Sequence, residues 1–313
     1  MESNFIVAVS AVIPLFLLMA IGVVVKRFRL LSKEELNHMN RMVFRVFFFC
    51  MMFYSIYTMD VSVSFNPGLM LFGSLGVLAV FALTTGMVCF FEKENRRRGA
   101  MIQAIYRSNY VIMGIPLVAN IFGDGALATP AMMIAVIVPI YNVLAVFALE
   151  TFRGGKFDLP GILLGVFKNP MIVGGLFGAV LLILGIPVPE PVLKPVRQVA
   201  AATTPVALII LGASFQGGSF HNHLKQLVSC VLARLIIVPA VMVGLAIHFG
   251  YRGVELVTLL AIFATPCAVA SFAMAQQMGS DADLAGNCVV YTSALSCFTI
   301  FGWVFALKQL GMF

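Results

Sequence analysis

Ser108-Asn109-Tyr110-Val111-Ile112-Met113-Gly114-Ile115-Pro116-Leu117 interrupts one apolar stretch of the chain, and Ala264-Thr265-Pro266-Cys267-Ala268 interrupts another some 150 residues later. A proline inside a helix removes one backbone donor and clashes with the preceding turn, so carbonyls about four residues upstream lose their partners. In hydrocarbon those orphans cost several kcal/mol each, and a break persists only where protein or a wet cavity satisfies it. Two such breaks at corresponding places in the two halves of a membrane chain point to a binding site at mid-membrane depth. The expected breaks are Gly114-Ile115-Pro116 and Thr265-Pro266-Cys267.

The composition requires a membrane setting. Of 313 residues, 61% are hydrophobic and only 11% charged, with a mean hydropathy of +1.03, whereas soluble domains carry about a quarter charged residues. Ten spans of roughly 20 residues would use about two thirds of the length, leaving no room for a sizeable soluble domain. The net charge of +7 does not indicate nucleic acid, because the basic residues cluster in short segments between apolar runs. All six cysteines lie inside those runs, without the spacing of a zinc site or a disulfide framework. The first run, Phe5 to Val25, has no basic segment before it and Lys26, Arg27 and Arg29 after it, the pattern of a first span rather than a cleaved leader.

Ten spans are expected: about 5–25, 42–57, 68–91, a fourth holding the first break, 126–149, 161–185, 196–215, 224–249, 254–278 with the second break, and 284–307. Basic residues gather after spans 1, 3 and 5 (Lys33, Arg97, Arg153 and Lys156 among them), while loops 2-3 and 4-5 have none. The positive-inside rule then puts both termini outside the cytoplasm. Gly123-Asp124-Gly125-Ala126 before span 5 resembles Ser280-Asp281-Ala282-Asp283 before span 10, each with an aspartate suited to cap a helix. This weak repeat divides the chain into 1–159 and 160–313. Because each half holds five spans, the second is inverted relative to the first. The expected fold is an all-α membrane protein of ten transmembrane helices in two inverted five-helix repeats, with broken helices 4 and 9 crossing.

At Pro116 and Pro266 a second half-helix is expected to begin, since proline is favoured at a first helical position. Inversion aims the two N-termini at the membrane centre, and each carries unpaired N–H groups and about half a positive charge. That environment suits an anion such as a carboxylate. The alternative is a pair of simple proline kinks. Asn109, two turns before Pro116, is either a substrate amide or structural glue to a neighbouring helix. Arg107 is read either as a cation gathering anions in a cytoplasmic vestibule or as an interfacial anchor whose guanidinium snorkels out, and Arg234 in span 8 has the same two readings. Asn142, Asn287 and Tyr291, with Thr292 and Ser293, are candidates for cavity lining or for packing contacts. Thr265, Cys267 and Ser271 border the second break, where unwound carbonyls and a hydroxyl offer a Na⁺ site as a minority reading. His38, His221, His223 and His248 have no metal-ligand or triad partners in the sequence.

These residues resemble the auxin efflux carrier family over essentially the whole chain. The resemblance is most specific from Asn109 to Leu117, with support from Thr204-Pro205-Val206-Ala207-Leu208 and Gly212, and from Ala264-Thr265-Pro266 with Gly279 and Asp281. It implies a ten-helix inverted repeat related to bile acid sodium symporters, with a scaffold from spans 1, 2, 6 and 7 and a moving transport domain from spans 3–5 and 8–10. It also implies that the asparagine matching Asn109 contacts a substrate carboxylate and that Pro116 and Pro266 form the crossover. Span 3 contains no Asp, Glu, Lys or Arg, so the charged pair that plant auxin exporters carry there has no counterpart.

The function expected is secondary transport of a small mono- or dicarboxylate by elevator-type alternating access, in a bacterial inner membrane. A channel or sensor on the same fold is the alternative. A membrane enzyme is disfavoured by the absence of HExxH, paired-aspartate and serine-elbow motifs. No cofactor or resident metal is expected, only H⁺ or Na⁺ as a coupling ion. The expected partners are an organic acid, the lipid bilayer and a second copy meeting through the scaffold helices.

Overall fold

The computed structural model describes residues 2–59, 66–153, 159–215 and 223–313; Lys156 and His221 lie outside them. Among the described residues the chain is helical throughout: α1 (Glu2–Arg27), α2 (Lys33–Tyr57), α3 (Pro67–Phe91), α4 (Asn95–Tyr106), α5 (Tyr110–Phe122), α6 (Ala128–Arg153), α7 (Leu159–Lys168), α8 (Pro170–Ile183), α9 (Glu190–Ser214), α10 (Leu224–His248), α11 (Gly253–Ala264), α12 (Ala270–Gln277) and α13 (Ala282–Gln309). Several starts are written in short polar signals. Ser32 and Glu35 form a reciprocal capping box before α2, Asn66 accepts from the Leu69 N–H before Pro67, and Asp281 accepts from the Leu284 N–H at 2.9 Å. Each satisfies donors that a helix N-terminus leaves without partners. Asp124 instead opens a single 3₁₀ turn, and α6 starts only at Ala128.

Six described helices, α2, α3, α6, α9, α10 and α13, are long and apolar enough to cross a membrane unbroken. The expected tally of ten is not recovered by length and composition: spans 4 and 9 are each two short helices, and α1 begins among residues whose side chains lie outside those described. Span 6 is also broken: α7 and α8 meet at a 62° bend. The cause is Asn169-Pro170, where the asparagine side chain caps Met171 N–H and proline takes the first helical position, which restarts the helix in a new direction.

Helices α1, α2, α8 and α9 pack on one another through glycines. A Cβ at Gly22 of α1 would fall on the Ile209 carbonyl of α9, and one at Gly212 of α9 on the Met19 carbonyl of α1. On α8, Gly174 and Gly178 stand one turn apart against the backbone of α2 at Phe49 and Phe53. With no hydrophobic drive between helices in lipid, small residues that let backbones approach supply the packing. The second group, α3 to α6 and α10 to α13, surrounds α4 and α11. From Leu256 to Ala264 every residue of α11 is buried, as is every residue of α4 from Gly99 to Tyr106, as expected of helices apolar on all sides.

The molecule has one basic end. Lys26, Lys33, Arg96 and His223, together with Glu94, Asp281 and Asp283, line a cavity of about 440 Å³ there. At the opposite end the Asn66 amide donates to Glu255 at 2.6 Å and Gly253 N–H donates to the Met312 carbonyl. Because α1 reaches the basic end at Lys26, its start at Glu2 lies away from that end, as does Met312.

Candidate substrate site at the crossing of two broken helices

Helix α4 stops at Tyr106, and Arg107 is extended (φ −91°, ψ 115°). Helix α11 stops at Ala264, and Thr265 is extended (φ −69°, ψ 152°). The two extended pieces lie antiparallel and pair as a minimal β-bridge, Ser108 opposite Cys267. Asn109 N–H donates to the Pro266 carbonyl at 2.7 Å, and Ala268 N–H to the Arg107 carbonyl at 3.2 Å. Cys267 N–H donates to the Thr292 hydroxyl of α13 at 3.1 Å. The crossing thus satisfies much of its own backbone, which irregular chain at membrane depth requires.

The first break is therefore at Arg107-Ser108-Asn109, not at Gly114-Ile115-Pro116. Residues 110–114 form a wide, π-type turn that runs directly into the rest of α5, with Gly114 (φ −74°) and Ile115 (φ −61°) both helical. Pro116 stands in the first turn after the wide one, and a wide turn relieves the clash a proline makes with the carbonyl behind it. Gly114 has a packing role: a Cβ there would strike the Tyr110 ring. The second break falls where Thr265-Pro266-Cys267 placed it.

Two arginines meet at the crossing, and neither snorkels. Arg234 is 0% exposed. From a wide turn in α10 its Nε donates to the Thr265 carbonyl (2.8 Å), Nη1 to those of Ile105 (3.1 Å) and Tyr106 (3.2 Å), and Nη2 to that of Ile262 (3.0 Å). These are the terminal carbonyls of α4 and α11, the negative ends of two helix dipoles. One rigid guanidinium thereby caps both helices and ties the two breaks together.

Arg107 is 4% exposed, which corrects its expected place at the membrane surface. The chain turns extended at this residue, so its side chain is carried into the bundle instead of along α4 towards the edge. It donates to Gln103 Oε1 (3.2 Å), to Asn142 Oδ1, and to the Met274 sulfur (2.9 Å), the last a weak acceptor. Among the described residues neither arginine has a carboxylate within ion-pair distance. Arg234 has four dipolar carbonyls in compensation; Arg107 has two amides and a thioether.

Asn109 is 6% exposed, sits in the crossing itself rather than two turns from it, and leaves its side-chain Nδ2 without a hydrogen-bond partner among the described residues. Asn142 joins the group through Arg107 and donates to Met52 Sδ of α2 at 3.0 Å. Ser271, Asn287 and Thr292 are buried nearby on α12 and α13, while Tyr291 is half-buried. The structure thus brings together Arg107, Asn109, Asn142, Thr265, Pro266, Cys267 and Ser271, and leaves Ile115 and Pro116 farther along α5. Sequence reasoning missed Tyr141, whose hydroxyl accepts from Ser108 (3.1 Å) and donates to the Ile262 carbonyl (3.1 Å). A lone tyrosine beside Asn142 in an apolar span was the only available signal.

An apolar, all-helical body organised around two crossing broken helices is the architecture of an integral membrane transport protein. The chain belongs to the membrane transport protein family, the grouping of the auxin efflux carriers, whose model matches residues 7–158 and 159–304. It is similar to two archaeal proteins named uncharacterized transporters. The one from Methanocaldococcus jannaschii is 22% identical over 312 residues, covering 95% of this chain and 99% of the relative. The one from Methanothermobacter thermautotrophicus is 22% identical over 310 residues, covering 96% and 98%.

Proposed function

We propose that the protein is a secondary transporter of a small organic anion, with the substrate carboxylate held at the crossing by the Asn109 amide, the first-turn N–H groups of α5, and Arg107. The single observation that carries this is the pairing of a buried, unpartnered amide donor with a buried guanidinium that lacks an anionic partner. Leaving such groups unsatisfied is costly, and a carboxylate supplies what both lack. The antiparallel bridge between the two breaks supports an inverted ten-span repeat. The glycine-packed group α1, α2, α8 and α9, with α7 as the first piece of span 6, is the scaffold, and the rest is the domain that moves as an elevator. A second copy would meet the scaffold, where Leu17 and Phe177 are exposed.

Na⁺ is not the coupling ion in this reading. Of the expected Thr265, Cys267 and Ser271 site, the Thr265 carbonyl accepts from Arg234, so a fixed positive charge stands against it. Proteoliposomes should accumulate a labelled small carboxylate saturably, and replacing Na⁺ by K⁺ should leave the initial rate unchanged. Uncoupled leak, or chemical conversion of the acid, would contradict the proposal.

The basic end is taken as cytoplasmic, in a bacterial inner membrane, which leaves both termini outside. Cysteines placed at Lys33 and Lys194, both exposed, should react with an impermeant maleimide from opposite faces, Lys33→Cys only from the cytoplasmic side. Labelling of both from one face would overturn the topology.

A further inference from the structure

A second cavity, of about 500 Å³, lies between the two helix groups, and none of the crossing residues lines it. Arg45 of α2 faces it from one group, Arg153 and Glu150 of α6 with Gln277 of α12 from the other, and Lys168 borders it from the end of α7, which packs on α6. Three cations therefore share the cavity with one carboxylate. Glu150 is turned away from Arg45 and Lys168: its Oε1 pairs with Arg153 Nη1 at 3.3 Å, and its carboxyl packs where a Cβ of Gly165 would be. Among the described residues Arg45 and Lys168 have no carboxylate within ion-pair distance. Asn169 adds an amide whose only hydrogen-bond acceptor among the described residues is the Met278 sulfur, at 3.7 Å. Like charges are brought together here by the 62° bend at Asn169-Pro170, which carries Lys168 against α6.

We infer that this cavity binds the phosphate of an anionic ligand. Basic recesses between membrane helices on the charged side of a protein suit phosphate-bearing head groups, and arginine forks match phosphate oxygens in pairs. The source favoured by the surroundings is a phospholipid, because Leu163, Leu164 and Phe167 of α7 are exposed beside Lys168 and offer apolar surface to its acyl chains. An occupied site would fasten the scaffold to the moving group, a consequence that rests on the transport reading; the binding itself does not.

The test needs no transport substrate. Native mass spectrometry of the detergent-purified protein should show phosphatidylglycerol retained at least tenfold better than phosphatidylcholine. Arg45→Gln and Lys168→Gln should each weaken retention about fivefold, while Lys168→Arg retains it, which separates lost charge from lost fold. In a parallel arm, millimolar inorganic phosphate should fail to displace the lipid. Displacement, or phosphate binding that depends on Arg45 without lipid preference, would keep the site but identify free phosphate as its source. Equal retention of both lipids, insensitive to phosphate and to both charge-removing variants, would overturn the proposal.

Discussion

Replacing Arg234 by methionine is expected to cost the protein its folded state. The substitution keeps the volume and removes the charge, yet it strands carbonyls of Ile105, Tyr106 and Thr265, and weakens the bonding of Ile262, at the meeting point of α4 and α11. A buried polar group left without its partner costs about 1–3 kcal/mol, so three or four together approach the roughly 5–15 kcal/mol that holds a whole domain folded. Arg234→Lys should fare little better, because one ammonium cannot reach four carbonyls set in a fork. The expected outcome in detergent is loss of the monodisperse peak in size-exclusion chromatography, or a melting temperature lower by 10 °C or more. A well-folded Arg234→Met variant would show that the crossing holds without its clamp.

Arg107→Met should behave in the opposite way, although the same residue type is buried at the same crossing. Its partners are two amides and a sulfur rather than helix-terminal carbonyls, and replacing a poorly compensated buried charge by an apolar side chain of similar volume is often neutral or stabilising. The melting temperature should therefore hold or rise. Substrate binding should fall by about tenfold to a hundredfold, the loss of a charged hydrogen bond worth roughly 1.5–3 kcal/mol. Stability kept while affinity is lost marks a group retained for a ligand. If affinity is also unchanged, Arg107 is a packing residue.

These two arginines show where sequence stopped being informative. Arg234 was left between vestibule cation and interfacial anchor because its carbonyl partners lie 28 to 129 residues away in the chain, and no local pattern announces them. Arg107 was misplaced for a related reason: the proline at 116 drew the first break towards itself, whereas the wide turn at 110–114 absorbs that proline and the chain opens at Arg107-Ser108-Asn109. Three consecutive polar residues in an apolar run were the better signal. At the second break proline and break coincide, so Thr265-Pro266-Cys267 was legible. The bend at Asn169-Pro170 was also open to reading, since Asn66-Pro67 starts α3 by the same chemistry. Helix existence followed from apolar length alone, but which helices touch depended on glycines such as Gly22 and Gly212, whose role is visible only against the opposing backbone.

The claim that the crossing holds a carboxylate through Asn109 is tested most directly by titrating one good substrate and its primary-amide analogue into wild type and Asn109→Ala, using isothermal calorimetry. The account predicts that wild type prefers the acid strongly, and that Asn109→Ala binds the acid about tenfold to a hundredfold more weakly. It also predicts that the variant loses comparatively little further affinity for the amide and that its melting temperature is nearly unchanged, since the Nδ2 it removes has no partner among the described residues. Wild-type affinity for the acid in Asn109→Ala would contradict the account and move the substrate site away from the crossing.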